Sequence, residues 1–380
     1  MPPLTLMIKP VSSMCNMRCK YCFYADVTQH RQTVSYGVMS DETLEKLVRR
    51  AFAYAEGSVT FAFQGGEPTL AGAKFFEKLL ELERKYNSRR IQVQNSIQTN
   101  AFDLSDELID VLRRGHFLVG ISLDGPAEIH DRMRIDARGA GTYATVTRNI
   151  ERLKAAGIEY NILCVVNGYI ARAPREVWQA LAPHTYLQFI PCLDGFDGVR
   201  EDYSLSADDY LYFLKETFDL YYQAFKRRQY VSVRTFDNYV GILLGQLPEN
   251  CAMQGRCGIY YLIEGDGGVY PCDFYVLDRW RMGDINRASF HTLAKSEVAA
   301  EFRSQSHYTS PECRECKWAK LCRGGCKRDR EPFVEVKDAD GSTSLRPGLN
   351  RFCGAFKEFF EYSYSRMEEM AREIAAERPK

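Results

Sequence analysis

Three cysteines near the N-terminus have a spacing that suits a metal cluster. Cys15, Cys19 and Cys22 are separated by three and by two residues. A loop with this spacing can offer three thiolates to a cubane, whereas a 4Fe–4S cluster held wholly by protein needs four. Three local ligands would leave one iron open, and an open position on a metal is where a substrate or cofactor binds. The alternatives are a zinc site with a distant fourth ligand and cysteines without a shared role.

Eight further cysteines follow in the last third of the chain, enough to close two four-ligand clusters with no iron left open. In two-cluster ferredoxins, the last cysteine of a local run ligates the other cluster. By this logic the predicted sets are Cys251, Cys257, Cys272 and Cys326 for auxiliary cluster I, and Cys313, Cys316, Cys322 and Cys353 for auxiliary cluster II. Cysteines two residues apart are also typical of zinc ribbons, so zinc is an alternative on spacing alone.

The composition gives no reason to expect a charged polymer as partner. Lys plus Arg and Asp plus Glu number 50 each, so the net charge is zero and neither nucleic acid nor an anionic membrane is indicated. The sequence has no secretory signal pattern and no run near the roughly 18 apolar residues of a membrane span. We therefore expect a cytoplasmic protein, in which clustered cysteines bind metal more often than they form disulfides. The isolated Cys164 and Cys192 are expected to be buried small hydrophobes.

Alternating strand and helix patterns fill the first half of the chain. The strand candidates are residues 4–8, 59–63, 91–97, 117–123, 160–166 and 186–190, and the helical patterns between them include 41–55, 73–86, 105–114 and 145–156. Ser40 is the expected N-cap of the first of these helices. Repeated β-then-α units imply parallel strands with right-handed crossovers, and six such units form an incomplete closed barrel. The predicted fold class is therefore α/β, a partial (β/α)6 barrel.

The second half has a different character. We expect the barrel to occupy residues 1–235, and a cysteine-rich domain with a C-terminal helix to occupy residues 236–380. Two apolar runs around the Gly-Asp-Gly-Gly of residues 265–268 predict a hairpin. Residues 337–350 are polar and predict a loop, and the helix is expected from residue 354.

Polar or glycine-rich motifs follow the first four predicted strands. They are Cys15 to Cys22, Gly65-Gly66-Glu67-Pro68, Thr99-Asn100 and Ser122-Leu123-Asp124-Gly125. In β/α barrels the chemistry lies on the loops that leave the carboxyl ends of the strands. The four motifs are therefore expected to form one site.

The triplet, with an aromatic residue before its third cysteine, resembles the signature of the radical S-adenosylmethionine superfamily, and Gly65-Gly66-Glu67-Pro68 resembles the motif that contacts the methionine amino end of that cofactor. The resemblance implies cofactor contacts for Gly65, Gly66, Glu67, Ser122 and Asp124, with Tyr21 near the adenine and Arg134 at the carboxylate. A solvated helix-face arginine is the alternative for Arg134. The chain departs from the pattern at Ala101, where family members often carry glycine.

The spacing of Cys257, Gly267 and Cys272, followed by the four-cysteine run and Cys353, resembles the SPASM domain of peptide-modifying radical enzymes. This likeness favours iron–sulfur clusters over zinc at both sets. Residues 8–24, 63–72 and 270–278 are also similar to the anaerobic sulfatase-maturating enzymes, and the likeness runs nearly end to end. Enzymes of that family oxidise a cysteine or serine of an unfolded sulfatase segment to Cα-formylglycine.

This resemblance implies three 4Fe–4S clusters, S-adenosylmethionine and an external one-electron reductant of the flavodoxin or ferredoxin type. It implies that a 5′-deoxyadenosyl radical takes a hydrogen atom from the substrate Cβ, after which the substrate loses a proton and an electron. Asp273, beside Cys272, resembles the family's proposed base, and the neighbouring auxiliary cluster is the implied electron acceptor. A solvated turn residue is the alternative for Asp273. Tyr24 and Gln64 are expected to border the cavity and orient the peptide, with core packing as the alternative.

Two other functions remain open on the sequence. The nearer one is a radical maturase that forms thioether or carbon–carbon crosslinks in a small ribosomal peptide, because the same clusters and radical serve both reactions. The remote one is a non-catalytic zinc or electron-transfer protein.

Overall fold

The computed structural model describes residues 3–307, 310–331, 333–337 and 341–377. The strands in these ranges are β1 Leu4–Ile8, β2 Ser58–Phe63, β3 Gln92–Thr99, β4 Phe117–Ser122, β5 Tyr160–Val166, β6 Tyr186–Pro191, β7 Ser232–Val233, β8 Leu262–Ile263, β9 Gly268–Tyr270, β10 Gly283–Asp284, β11 Phe333–Lys337 and β12 Thr343–Pro347. The helices are α1 Phe23–Gln29, α2 Asp41–Tyr54, α3 Ala73–Tyr86, α4 Asp106–Arg114, α5 Ala127–Met133, α6 Tyr143–Ala155, α7 Gly168–Ala171, α8 Pro174–Leu181, α9 Ala207–Lys226, α10 Arg234–Leu243, α11 Phe290–Ala294, α12 Glu297–Ser306, α13 Pro311–Arg314, α14 Ala319–Cys322 and α15 Cys353–Glu377. None of the helices in these ranges is both long enough and apolar enough to cross a membrane.

Strands β1 to β6 pair in chain order, and every pair is parallel. At least one helix follows each of β1 to β6, as the crossovers between parallel strands require. The predicted α/β fold class, with a mostly parallel barrel-type sheet, is confirmed.

Helix α2 shows how the sequence builds the outer layer. The Ser40 hydroxyl accepts a hydrogen bond from Thr43 N at 3.2 Å, so Ser40 is the N-cap as predicted. Leu44, Leu47 and Val48 recur at helical spacing and are fully buried in the same core as the β-sheet. This face fixes the helix against the strands whose ends carry the motifs.

The sheet continues beyond the barrel into the cysteine-rich region. β8 lies parallel to β1, with Met7 opposite Leu262 and Ile8 opposite Ile263. β8 and β9 then form the predicted hairpin, and β10 adds to β9. One ten-stranded sheet thus joins both parts of the chain, in the order β10-β9-β8-β1-β2-β3-β4-β5-β6-β7. The division proposed at residue 235 falls inside α10.

The loop predicted for residues 337–350 is wrong for residue 337 and for residues 343–347. β12 pairs antiparallel with β11, with Leu345 opposite Glu335. Pairing satisfies the backbone groups of a polar segment whatever its side chains, so polarity alone did not exclude a strand. Residues 338–340 lie outside the described ranges. The C-terminal helix is confirmed as α15, which packs along α9.

Candidate active site

Cys15, Cys19 and Cys22 lie on the loop between β1 and α1, and all three thiols are free. Cys22 is the N-cap of α1, and its N–H donates to Cys19 O at 3.2 Å. Burial raises the pKa of Cys19 to about 12; the Arg134 guanidinium lowers it, and the other two thiols add to the rise. The loop therefore brings together three interacting thiols, the donor set that a cluster can take up by displacing their protons.

The Gly65-Gly66 turn packs directly against this loop. Both glycines have positive φ, +84° and +57°. A Cβ at Gly65 would lie 2.4 Å from Lys9 Cε, and one at Gly66 would lie 2.2 Å from Met14 O. The absence of side chains at these positions thus lets the turn after β2 approach the cysteine loop.

Glu67 is buried, and protein donors occupy both of its carboxylate oxygens. Oε1 accepts from Thr69 N (3.1 Å), Thr69 Oγ1 (2.8 Å) and Thr99 Oγ1 (2.7 Å), and Oε2 accepts from Asn100 N at 2.7 Å. Burial raises the pKa of Glu67, although these hydrogen bonds lower it. In this structure Glu67 joins the turn after β2 to the end of β3. Its direct contact with the cofactor stays a prediction.

Tyr21, Asp124 and Arg134 form a buried cluster beside Cys19. Asp124 Oδ2 accepts from Arg134 Nε at 2.8 Å and from the Tyr21 hydroxyl, and Oδ1 accepts from Val165 N at 2.9 Å. The Arg134 guanidinium lies 5.4 Å from the centre of the Tyr21 ring and 3.9 Å from Cys19 Sγ, measured from Nη1. The structure therefore does not leave Arg134 as a solvated helix-face arginine. Asp124 holds Tyr21 and Arg134 in place.

Ser122, the last residue of β4, and Asn16, in the cysteine loop, carry two further polar groups. The Ser122 hydroxyl is half-buried and accepts from Gln98 Nε2 at 3.1 Å. Asn16 accepts from Asn100 Nδ2 at 2.8 Å, while the buried Nδ2 of Asn16 has no partner among the described residues. An unpaired buried donor beside Cys15 fits a ligand that carries acceptor atoms, as S-adenosylmethionine does in its carboxylate.

Asp273, Tyr24 and Gln64 meet although they are far apart in sequence. Tyr24 lies on α1, Gln64 follows β2, and Asp273 follows β9. Asp273 Oδ2 accepts from the Tyr24 hydroxyl and from Gln64 Nε2, both at 2.8 Å. The other oxygen, Oδ1, is buried and has no partner among the described residues. Burial raises the pKa of Asp273 to about 6, although Lys9, Tyr24 and Gln64 each lower it. Such a carboxyl group has a free oxygen that can take a proton.

A fully buried charge cluster lies close enough to Asp273 to affect its pKa. Lys9 Nζ is 2.9 Å from Glu264 Oε1, and Arg31 Nη1 donates to the same oxygen at 2.6 Å. The Lys9 ammonium also lies 5.0 Å from the centre of the Tyr24 ring. Two cations thus share one carboxylate. The Lys9 ammonium also lowers the pKa of Asp273.

The structure brings together both predicted sets of C-terminal cysteines. Cys313, Cys316, Cys322 and Cys353 line one cavity of about 240 Å³. Burial raises the pKa of Cys322 to about 11, and the other three thiols of this set add to the rise. In the second set, burial raises the pKa of Cys326, and Asp329, Cys251 and Cys257 add to the rise. Burial also raises the pKa of Cys272, and Cys326 and Cys251 add to that rise. Each set therefore offers four thiols that interact, which suits a cubane.

Within the described ranges, no three Cys, His, Asp or Glu side chains converge closely enough to hold a single metal ion. Cys164 and Cys192, predicted to be small buried hydrophobes, are both buried in the core.

Lys9, Arg31 and Glu264 were not among the predicted site residues. Lys9 carries one signal that could have identified it: it stands directly after the apolar strand β1, where a barrel places its site residues. Arg31 and Glu264 lie in a loop and at the turn of a hairpin, and no motif marks them.

Comparison with known proteins identifies relatives of this chain. A family model described as the Radical SAM superfamily matches residues 10–176, and one described as an iron-sulfur cluster-binding domain, SPASM, matches residues 251–317. The cysteine-type anaerobic sulfatase-maturating enzyme of Clostridium perfringens (strain 13 / Type A) is 43% identical over 378 residues, which are 98% of this chain and 100% of the relative. The serine-type enzyme of Bacteroides thetaiotaomicron is 30% identical over 393 residues, 98% of this chain and 92% of the relative.

A solved structure of native anSMEcpe with bound AdoMet and Cp18Cys peptide has a TM-score of 0.90 at 43% identity. It covers 98% of this chain and 100% of the solved one. Because relatives match almost the full length, and the two family models match residues 10–176 and 251–317, the chain belongs to the anaerobic sulfatase-maturating enzymes of the radical S-adenosylmethionine superfamily.

Proposed function

We propose that this chain oxidises one cysteine or serine side chain of an unfolded sulfatase segment to Cα-formylglycine without O2. The observation that carries the proposal is Asp273, a buried carboxyl group with one oxygen held by Tyr24 and Gln64 and the other without a partner among the described residues. The family supports it, since the relatives are named sulfatase-maturating enzymes and one was solved with a peptide bound.

The proposed cofactors are S-adenosylmethionine and three 4Fe–4S clusters. The ligands would be Cys15, Cys19 and Cys22 for the radical cluster, Cys251, Cys257, Cys272 and Cys326 for auxiliary cluster I, and Cys313, Cys316, Cys322 and Cys353 for auxiliary cluster II. When bound, these groups supply hydrogen-atom abstraction from the substrate Cβ and an acceptor for one electron. The residues that would contact S-adenosylmethionine are Tyr21, Gly65, Gly66, Glu67, Ser122, Asp124 and Arg134. Glu67 and Asp124 would also hold the segments that carry the other contacts.

In the proposed reaction Asp273 takes the substrate proton. After Cβ has lost a hydrogen atom, the adjacent thiol or hydroxyl must lose one proton as one electron leaves. Oδ1 of Asp273 can accept this proton because Oδ2 already accepts two hydrogen bonds. Tyr24 and Gln64 keep the carboxylate in one orientation. With a cysteine substrate, the resulting thioaldehyde exchanges sulfur for oxygen with water and releases hydrogen sulfide.

We further propose cysteine as the preferred target residue. The cysteine-type relative is 43% identical to this chain, whereas the serine-type relative is 30% identical. The proposed partners are the unfolded sulfatase segment and a one-electron reductant of the flavodoxin or ferredoxin type, with no role for nucleic acid or a membrane. The proposed location is the cytoplasm.

Anaerobic turnover tests the proposal. The reconstituted enzyme is incubated with S-adenosylmethionine, a chemical reductant and two sulfatase-derived peptides that differ only in Cys or Ser at the target position. Mass spectrometry should show the aldehyde, faster with the cysteine peptide. A peptide that loses two hydrogens, still keeps its sulfur after incubation in water and never gives the aldehyde would instead favour a crosslinking maturase.

Asp273→Asn tests the base. This variant should retain its iron content and its affinity for S-adenosylmethionine but lose at least about 100-fold in formylglycine formation, the lower range for a general base. Asp278→Asn is the matched control, because Asp278 is an exposed carboxylate five residues further along the same segment. Product formation by Asp273→Asn at the parental rate would show that another group takes the proton.

A further inference from the structure

His130 is a buried histidine that is not among the predicted site residues. It lies on α5 and is fully buried. Nδ1 accepts a hydrogen bond from Asp124 N at 3.2 Å, so in the neutral ring the proton is on Nε2. Nε2 lies 3.0 Å from Thr142 Oγ1 and donates to it. The Thr142 hydroxyl in turn donates to Arg134 O at 2.9 Å. Every donor in this chain of hydrogen bonds has one acceptor.

The two ends of this chain are the backbones of Asp124 and Arg134. Their side chains form the ion pair at 2.8 Å that also binds the Tyr21 hydroxyl. Arg134 is the C-cap of α5 and has extended backbone dihedral angles, so its carbonyl has left the helix and needs another donor. Thr142 supplies that donor. His130 and Thr142 therefore hold the backbones of Asp124 and Arg134, the two residues whose side chains form the ion pair.

The ring has to be neutral to work in this way. Burial lowers the pKa of His130 to about 4, although Asp124 raises it. A protonated ring would turn Nδ1 into a donor facing the Asp124 N–H. At neutral pH the ring is therefore an uncharged spacer between two backbone segments.

We propose that His130 and Thr142 are positioning residues for S-adenosylmethionine: they set the separation of Asp124 and Arg134, and so the placement of the Arg134 guanidinium and the Tyr21 ring that would contact the cofactor. This inference rests on the cofactor contacts in the proposed function. In this role, His130 and Thr142 increase the affinity for the cofactor and transfer no proton.

Thr142 offers the cleanest variants. Its side chain makes no capping hydrogen bond to α6, so Thr142→Val removes the bond to Arg134 O and the acceptor of His130 Nε2 but keeps the shape and the helix start. Thr142→Ser keeps the hydroxyl. Thr147→Val is the matched control, because Thr147 Oγ1 also donates to a backbone carbonyl, Tyr143 O at 2.9 Å, on the same helix but away from the Asp124–Arg134 pair.

The measurement is the dissociation constant of S-adenosylmethionine, by calorimetry on the anaerobically reconstituted full chain without reductant or peptide. Thr142→Val removes both the bond to Arg134 O and the acceptor of His130 Nε2, so it should weaken binding at least about tenfold, and His130→Leu should do so by a similar factor. Thr142→Ser and Thr147→Val should stay within about twofold of the parent. In turnover, KM for S-adenosylmethionine should rise while kcat at saturation is retained.

Parental affinity in a Thr142→Val protein with the parental melting temperature and iron content would overturn the inference. So would an equal loss in Thr147→Val, or a parent protein that does not bind S-adenosylmethionine. If His130→Leu fails to fold, the comparison of Thr142→Val with Thr142→Ser tests the inference. Graded binding losses in an enzyme that makes no formylglycine would contradict the proposed function and leave this inference standing.

Discussion

Glu264→Gln removes the carboxylate that pairs with both Lys9 and Arg31. The two N···O distances are 2.9 and 2.6 Å, and all three side chains are fully buried. Each pair has an attraction of about 6 kcal/mol at an effective dielectric constant of about 20, and this attraction offsets the cost of burying the charges. Glutamine keeps the shape but not the charge, so two buried cations would lose their counter-ion. Removing one partner of a buried pair costs about 3–5 kcal/mol, and we expect a loss of that size in the free energy of unfolding.

The pH dependence of this loss follows from the Glu264 carboxyl group. Burial alone would raise its pKa, but Lys9 and Arg31 outweigh burial and lower the pKa below 4.5. A carboxyl group whose pKa is lower in the folded state stabilises the protein above its unfolded pKa and loses that effect as the pH falls through its folded pKa. The difference between parent and variant should therefore be complete at pH 7 and should shrink in acid below pH 4.5.

Urea unfolding of the holoenzyme under nitrogen, followed by far-ultraviolet circular dichroism, measures this difference. Glu301→Gln is the control, because its pair with Arg279 at 3.2 Å is exposed and should contribute less than about 1 kcal/mol. Lys9→Met should cost less than Glu264→Gln, since Glu264 would keep Arg31. The reasoning is refuted if Glu264→Gln unfolds within 1 kcal/mol of Glu301→Gln at pH 7.

Two further variants test other parts of the fold. Burial raises the pKa of Glu83 to about 7, and among the described residues its carboxylate accepts a hydrogen bond only from Asn95 Nδ2, at 3.4 Å. The charged form therefore costs stability as the pH rises from 4.5 to 7, so Glu83→Gln should stabilise the protein by about 1–3 kcal/mol at pH 8 and very little at pH 4.5; equal urea midpoints at pH 8 would contradict this. Gly65→Ala should cost about 2–4 kcal/mol, because its Cβ would lie 2.4 Å from Lys9 Cε at a positive φ, whereas Gly57→Ala, also at positive φ but with nothing within 4 Å, should cost about 1 kcal/mol; equal losses in thermal unfolding would exclude the steric contribution.

The sequence was sufficient where the pattern is local. Short apolar, β-prone runs predicted strands such as β1, and apolar residues at helical spacing predicted helices such as α2. The cysteine and glycine motifs followed the strands as a barrel requires. The hairpin of β8 and β9 could also be predicted, because its turn residues are adjacent in the chain.

The parts that could not be predicted depend on distant residues. The parallel pairing of β1 with β8 joins two-residue segments more than 250 positions apart, and a strand of that length carries no periodicity. Lys9 follows Ile8 and Glu264 follows Ile263, so the same long-range pairing brings these two side chains together. Asp124 could be placed at the end of the fourth strand, but the occupation of both its oxygens by Tyr21, Arg134 and Val165 depends on the three-dimensional arrangement.

The pairing of β1 with β8 also determines when the second edge of β1 can be covered during translation. β2 ends at residue 63 and can cover one edge of β1 early, but the other edge waits for residue 262, about 200 residues later. At about 5–20 residues per second, the ribosome needs about 10–40 s to make that stretch. Through that interval the strand leading to the radical-cluster cysteines has an open edge, and Lys9 has no Glu264 beside it. The first segment of the active site to be translated is thus among the last to be completed, and it is exposed to wrong pairing until the hairpin arrives.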